Sequence, residues 1–422
     1  MLRDYFGRVR LLNRDTWLII ASSAMVYFAP FGLVAVLFNL YLLRLGYGPD
    51  FVGLVNGAGF IAGTLASLPG AEIGRRWGTR RAALIGLSSN TILWCLLLLS
   101  FWLRGGWQSV WLVAGMCLLN LSGWGLYGVN ILPFTMDATS VRERDHAFSL
   151  LSAMTAALSF LGASAGGVLP SLAGRILHRP LTDPAPFALS LVGAPLAFLL
   201  ATVLLARTSG RVGNAVVGRS GAGQRAKPPM RGFAAMALVM LVMWAGTSSV
   251  TTFYNVYLDD ALRVSTATIG IIMAAGSLLA VPASLLAPLA LARLGGARTY
   301  VVASLGIAAA SALLALVARS GVAASAYLAT QALVALARPG ISILQMEVIP
   351  IPWRTTMSAV VTIALTLGSA AMAFLGGRII VSSGYRTLFL VGCGLVLLGA
   401  ALFALFFARG RPGATAGPQA TA

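Results

Sequence analysis

Charge is what this chain has least of. Asp, Glu, Lys and Arg make up 10% of its 422 residues while apolar types reach 58%, against roughly a quarter charged and about half apolar in a soluble domain. A water-soluble fold is excluded. Lysine is almost missing: Lys227 stands alone beside 29 arginines, and with abundant Ala and Gly this coding bias points to a GC-rich, prokaryotic genome. Histidine is limited to His146 and His178, both between apolar runs, so an enzyme working by imidazole acid–base chemistry inside a membrane has no catalytic group. Cys95, Cys117 and Cys393 fall inside apolar runs at wide, unrelated spacings, which indicates neither a disulfide framework nor a metal site and reads as packing. A glycine-rich loop ending in lysine, the phosphate cradle of an ATP-driven pump, is missing as well. No enzyme activity, cofactor or metal is expected.

What is present is a series of long apolar runs. Between the charges lie Trp17–Leu43, Phe51–Ala71, Ala82–Leu103, Val110–Met136, Ala147–Leu172 and Phe187–Ala206, then Gly232–Leu258, Ile269–Ala292, Tyr300–Val317, Ala324–Met346, Thr356–Phe374 and Leu388–Ala408. Each is close to the roughly 20 residues that cross a hydrocarbon core. The fold class is therefore an all-α integral membrane protein with twelve transmembrane helices. The first run is too long for the apolar core of a signal peptide, about 7–15 residues, and is read as a retained helix.

A net charge of +19 would point to nucleic acid in a soluble protein. Here the arginines sit in short segments between the runs, so no nucleic-acid partner is expected and the basic excess reports topology. The N-terminus, every second loop and the C-terminus hold 21 basic residues and the remaining loops 8, with Arg338 inside a run. The richer set belongs on the cytoplasmic side of a plasma membrane, both termini with it. Residues 207–231 carry six basic residues, no acid and several Gly, Ser and Pro. They form a flexible cytoplasmic linker between an N-terminal six-helix bundle, 1–206, and a C-terminal one, 232–422, with a short polar tail.

The two halves repeat each other. Phe38-Asn39-Leu40-Tyr41-Leu42 near the end of the first run answers Tyr254-Asn255-Val256-Tyr257-Leu258 near the end of the seventh, an offset of 216. Gly53, Gly59 and Gly78 answer Gly270, Gly276 and Gly295 at 217, and Asp137 and Arg144 answer Glu347 and Arg354 at 210. A duplicated six-helix unit in parallel orientation is the arrangement in which a substrate site lies between two halves that rock about it.

In these features the chain resembles the major facilitator superfamily over residues 15–408. Its signature after the second helix, a loop of the form G-x-x-x-D-R-x-G-R-R, is degenerate here. Ala71-Glu72-Ile73-Gly74-Arg75-Arg76-Trp77-Gly78-Thr79-Arg80 keeps Arg76, Gly78 and Arg80, and the second half keeps Arg293 and Gly295. Arg75 and Ala292 stand in the aspartate positions, and Glu72, four residues before Arg76, is spaced to supply the missing negative charge. Asp137 to Arg144 and Glu347 to Arg354 look like the E-x6-R pairs of sugar-porter-like members. The resemblance implies a cytoplasmic gate of Glu72, Arg76, Gly78, Arg80, Asp137, Arg144, Arg293, Gly295, Glu347 and Arg354, formed when the cavity faces outward and broken when it faces inward. Physically, acids at the inner ends of spans require partners, and a static interfacial ion pair meets that requirement too.

In this family the cavity is lined mainly by the first, fourth, seventh and tenth helices. That implies substrate-binding roles for Tyr27, Phe31, Trp124, Tyr127, Thr247, Ser248, Gln331 and Arg338, although small hydroxyl residues also pack membrane helices together. Arg338 is the one charge well inside a run, where such residues face a bundle interior or an aqueous cavity; the other option is a reach to Glu347 or Asp137 at the interface. Pro30 with Gly32, and Pro339 with Gly340, are expected to loosen the first and tenth helices, and Asn39 and Asn255 to serve an outer gate or a helix contact. The reading is a secondary, ATP-independent transporter moving a small anionic or polyhydroxylated solute by alternating access, as an efflux or ion-coupled porter. Its partners are that solute, a coupling ion and the bilayer, and a monomer is expected. The competing reading is a non-transporting sensor or interaction protein of the same fold, which would bind without flux. The orientation is checked by cysteine labelling in intact cells: Ser220→Cys resists a membrane-impermeant maleimide and Thr182→Cys reacts, and the reverse pattern overturns the assignment of sides.

Overall fold

The computed structural model describes residues 13–139, 144–209, 229–348 and 353–408, and among them every regular element is helical. In chain order the long helices are α1 Arg14–Arg44, α2 Pro49–Trp77, α3 Thr79–Phe101, α4 Gly106–Ala138, α5 Arg144–Leu177, α6 Ala185–Ala206, α7 Met230–Asp260, α8 Thr266–Leu294, α9 Gly296–Leu316 and α10 Ser320–Val348. The last stretch, Arg354–Phe403, is 50 residues long and breaks at Gly384, with φ 80 and ψ 171. Unbroken it would reach about 75 Å, more than twice the hydrocarbon thickness. Its two parts are α11 and α12, which completes twelve crossings in two pseudo-symmetric bundles, α1–α6 and α7–α12.

Local chemistry sets the helix ends. Asn13 caps α1 by accepting from the Asp15 amide, and Ser265 caps α8 by accepting from the Thr268 amide, each satisfying a donor the first turn leaves unpaired. Pro49 opens α2, where its missing N–H costs nothing. Gly78 and Gly295 adopt φ 90 and φ 76, a backbone that side chains rarely permit, and each alone turns one helix into the next. The expected loop 375–387 shrinks to Gly384, because helix continues past the exposed Arg378, a side chain long enough to carry its charge to the interface.

Apolar surface is distributed as lipid requires. Leu65, Leu68, Leu285 and Ile176 are over 70% exposed, a liability in water and the expected state against acyl chains. Trp77 at one end of α2, and Trp102 and Trp107 around the α3–α4 connection, are exposed at opposite membrane faces, like an interfacial aromatic belt. Cys95 is exposed and so departs from the packing role expected of it, while Cys117 and Cys393 are half-buried.

The main apolar cluster joins both bundles on the side away from the termini, the far side, through residues such as Phe38, Tyr41 and Val52 with Phe253, Tyr254, Ile269 and Leu388. A separate cluster around Met236, Met240, Tyr300, Met357 and Phe403 belongs to the second bundle near the terminus side. Between the bundles α2 packs on α11 and α5 on α8. The repeated glycines mark these crossings. A Cβ on Gly53 would lie 2.1 Å from the Ala373 carbonyl oxygen, and one on its repeat mate Gly270 would lie 2.4 Å from Gly167 Cα. Gly59 and Gly276 do the same inside the bundles, against Asn120 of α4 and Tyr327 of α10, each at 2.7 Å. Small residues that let backbones approach are the usual contact element between membrane helices.

Because the atoms facing Gly53 and Gly270 are backbone, they cannot rotate away. Gly53→Ala and Gly270→Ala should each lose about 1–3 kcal/mol, read as a lower melting temperature in detergent. Gly394→Ala, with nothing within 4 Å of the added carbon, should leave it unchanged.

Candidate functional site

Two asparagines hold the central helices of the bundles together. The Asn39 amide on α1 donates to the Thr252 carbonyl of α7 at 3.0 Å and to Asn255 Oδ1 at 3.2 Å. The Asn255 amide donates to the Ala35 and Val36 carbonyls of α1 at 3.0 and 3.2 Å. Asn39 with Thr252 and Asn255 with Val36 obey the same offset of 216, so the contact is reciprocal about the pseudo-twofold axis. Asn56 of α2 completes it by donating to Asn39 Oδ1 at 2.9 Å. Each carboxamide thereby meets its hydrogen-bonding needs away from water, as burial requires.

Beyond the asparagines, at the far end, Arg44 clamps Asp259 with two bonds of 2.7 and 2.6 Å, and its Nε donates to the Leu181 carbonyl at 2.8 Å. The guanidinium also lies 5.2 Å from the centre of the Phe187 ring. This fork-to-fork pairing is the strong form of a salt bridge; the partners are 20% and 9% exposed. Sequence reasoning does not single out Arg44 and Asp259; the available signal is an arginine and an acid closing the two repeated segments. Together with the glycine crossings these contacts seal the far side, and at mid-depth Ser159 Oγ on α5 donates to the Phe31 carbonyl at 3.2 Å and lies 3.4 Å from Ser277 Oγ on α8.

On the terminus side of this seal the central helices present exposed faces. Tyr27 and Phe31 stack with ring centres 4.7 Å apart, and Trp124 of α4 meets Phe31 edge-on at 6.0 Å. The three are 37%, 42% and 54% exposed. Both helices are π-helical at these positions, Tyr27–Val34 and Leu121–Gly128, a rare widening that frequently marks functional sites. Pro30 accounts for the first, as expected. The second is not anticipated by sequence, though Gly123, Gly125 and Gly128 are its signal.

In the second bundle a cavity of about 300 Å³ is lined by Met243, Trp244 and Thr247 of α7, Arg338 and Gln345 of α10, and Ser358 and Thr362 of α11, among others. Arg338 is exposed in it and makes a contact with the protein as well. The helix runs through Pro339 without a break; Gly340 instead lets α10 pass the start of α9, with Gly296 O 3.3 Å from an added Cβ.

The other candidates divide. Thr247 lines the cavity although its hydroxyl donates to the Met243 carbonyl. Ser248 is buried against Thr252, Tyr127 is buried with its hydroxyl on Ser23, and Gln331 packs on Gly276. Among the gate candidates, Glu72 meets Arg75 and Arg76 of its own helix at 2.5 Å each, and Arg80 caps the end of α6 through the Ala206 carbonyl and Thr208. Gly78 and Gly295 are the turns described above, and Arg293 is exposed in the last turn of α8. Asp137 ends α4 and has a partner. The side chains of Arg144, Glu347 and Arg354, and residues 210–228 of the linker, lie outside the described residues.

No curated protein matches the chain. The family model described as Major Facilitator Superfamily matches residues 19–330 and again 236–422. Among solved structures, the chain is similar to the nucleoside transporter NupG, at TM-score 0.75 and 12% identity, covering 94% of this chain and 100% of that one. It is similar to a POT family transporter in complex with a thioalcohol-conjugated peptide, at 0.73 and 15%, covering 94% and 96%. A bacterial homologue of the human lysosomal transporter Spinster, inward-facing and unoccupied, matches at 0.70 and 14%, covering 96% and 99%. At these identities the likeness is one of fold.

The seal on the far side is testable. Ala373→Cys, at a position fully buried against α2, should react slowly with a water-soluble maleimide. Adding Asp259→Asn leaves Arg44 without its carboxylate and should speed the reaction about tenfold, equivalent to about 1.4 kcal/mol. Asp183→Asn, which removes the charge paired with the exposed Arg179 while keeping the Oδ1 that accepts from the Ala185 amide, should not.

Proposed function

Since the chain belongs to the Major Facilitator Superfamily, we propose that it is a secondary transporter that moves a small solute through the membrane by alternating access, without ATP, as an efflux or ion-coupled porter. The observation that carries this reading is the asymmetry of closure between the bundles. Reciprocal asparagines, the Arg44–Asp259 clamp and the glycine crossings shut the far side, while the aromatic face of α1 and α4 and the Arg338 cavity lie exposed beyond them. A protein that only scaffolds a partner has no need of a closed gate on one side of an exposed polar cavity.

With the termini and 207–231 in the cytosol, as the basic residues favour, the far side is external and this conformation faces inward. The cytoplasmic gate is then open, which agrees with Arg80, Arg76 and Glu72 being occupied within their own bundle. Arg338 and its neighbouring hydroxyl and amide groups favour a solute bearing an anionic or hydroxyl-rich group, because a guanidinium offers a planar fork of donors.

Locking the halves tests the reading. In a background with Cys95, Cys117 and Cys393 replaced by alanine, Ser159→Cys with Ser277→Cys puts two thiols where hydroxyls now lie 3.4 Å apart. The solute is first identified by comparing what cells with and without the protein accumulate. Oxidation should then abolish its flux into proteoliposomes, and reduction should restore it. Flux undiminished by a verified cross-link would exclude alternating access about this interface.

A further inference from the structure

The cavity inside the second bundle is lined by polar groups that the protein itself leaves unanswered. Gln345 of α10 lines it and is only 8% exposed, yet among the described residues its carboxamide has no hydrogen-bond partner. Carboxamides this deeply buried are nearly always paired, because an unmet donor and acceptor carry a desolvation cost. The hydroxyls around it are already committed as donors. Thr247 donates to the Met243 carbonyl at 3.0 Å, Ser304 to the Tyr300 carbonyl at 2.7 Å and Thr362 to the Ser358 carbonyl at 2.9 Å, so they have only lone pairs left to offer. The buried Tyr300 hydroxyl meets just the Met240 sulfur, at 3.9 Å, a weak acceptor. The indole N–H of Trp244, another lining residue, has no partner among the described residues.

We propose that this cavity is a binding site for a ligand carrying a cis-amide edge, of the kind a lactam ring presents, and that Gln345 is the residue that reads it. A carboxamide offers an acceptor and a donor side by side, and the group that answers both at once has an N–H and a C=O on one edge. A lactam holds them there by ring closure, whereas an open-chain secondary amide is trans and turns them to opposite sides. A carboxylate only accepts and an ammonium only donates. A ring also suits the rest of the lining. Met240 and Met243 bring thioethers, which make favourable contacts with aromatic rings, and with Trp244, Ile307 and Val334 they leave the walls largely apolar. Apolar walls with a few polar groups that fix orientation are the usual build of a small-molecule site, and a volume of about 300 Å³ is at the lower end of their range. Arg338 lies seven residues before Gln345, about 10 Å along α10, and has an interaction within the protein, so the amide edge is recognised apart from the guanidinium. Every lining residue belongs to α7, α9, α10 or α11. The site is therefore built by one bundle and does not depend on the transport reading.

Calorimetry on the detergent-solubilised protein tests this with 2-quinolone, whose lactam supplies both groups, coumarin, in which an oxygen replaces the N–H, and indole, which has an N–H and no carbonyl. The lactam should bind about tenfold more tightly than either, or better. Gln345→Leu and Gln345→Met should each bring the three affinities within about twofold of one another, mainly by weakening 2-quinolone. Neither should lower the melting temperature, because the group removed has no partner among the described residues. The cross-link between Ser159→Cys and Ser277→Cys should leave the affinities unchanged. No binding of 2-quinolone, equal affinity for lactam and lactone, or a preference that survives both variants overturns the proposal, and so does a melting temperature that falls in both, which makes Gln345 a residue of the fold. Binding lost on cross-linking overturns the placement of the site within one bundle. Flux undiminished by the cross-link, with binding in the expected pattern, overturns the transport reading alone.

Discussion

A carboxamide inside a membrane span has to find partners within the protein, and the rest of this structure is arranged around how Asn39 and Asn255, towards the far ends of α1 and α7, do so. Lipid offers no hydrogen bonds, so each side chain that misses its partner carries a desolvation cost. Each asparagine reaches the backbone of the helix carrying the other. The bonds are individually modest, averaging well under 2 kcal/mol in membranes, but they are specific to one register of α1 against α7. That register decides which residues stand opposite one another below it, and it places the Arg44 fork within reach of Asp259 above it.

Much of this arrangement is legible in the sequence because duplication makes a one-dimensional record of three-dimensional equivalence. Twelve spans follow from hydropathy, and the pairing of Asn39 with Asn255, Gly53 with Gly270 and Gly78 with Gly295 from constant offsets. In the structure the members of each pair play the same physical part, as a polar contact, a close backbone crossing or a turn with positive φ. What the offsets cannot convey is contact between residues that are not equivalent. Arg44 and Asp259 meet across the axis although they are not equivalent positions of the repeat. Glu72 lies four residues from Arg76 and is legible as a local pair. Tyr127 and Ser248, by contrast, are candidates by depth alone, and a helix turns such residues inward or outward according to phase, which the π-helical segments shift. The α11–α12 boundary is hidden because a charge in the sequence looks like the end of a span, whereas an arginine can stay in helix and bend its charge outward.

The second apolar cluster has a bearing on motion. The larger cluster spans both bundles on the closed side, and the smaller one stays within α7–α12. On the alternating-access reading proposed above, opening the far side parts a shared apolar interface that is thinned to small residues at its crossings, whereas the cavity around Arg338 is bounded by a core of its own within its bundle. Glycines at the crossings give shallow, smooth contacts that separate without unthreading long side chains.

Three helix pairs, α2–α3, α8–α9 and α11–α12, are joined by one glycine each: Gly78, Gly295 and Gly384. Such hairpins have no slack. Their members cannot slide lengthwise past one another without breaking helical turns, so each pair travels as a single strut. The covalent link between bundles, from Ala206 to Met230, is by contrast long enough to span about 75 Å when extended. Chain length is thus rationed: almost none is used where helices of one bundle meet, and many more residues lie between Ala206 and Met230. On the proposed transport reading, such wiring leaves few internal degrees of freedom and one large one, the angle between the halves.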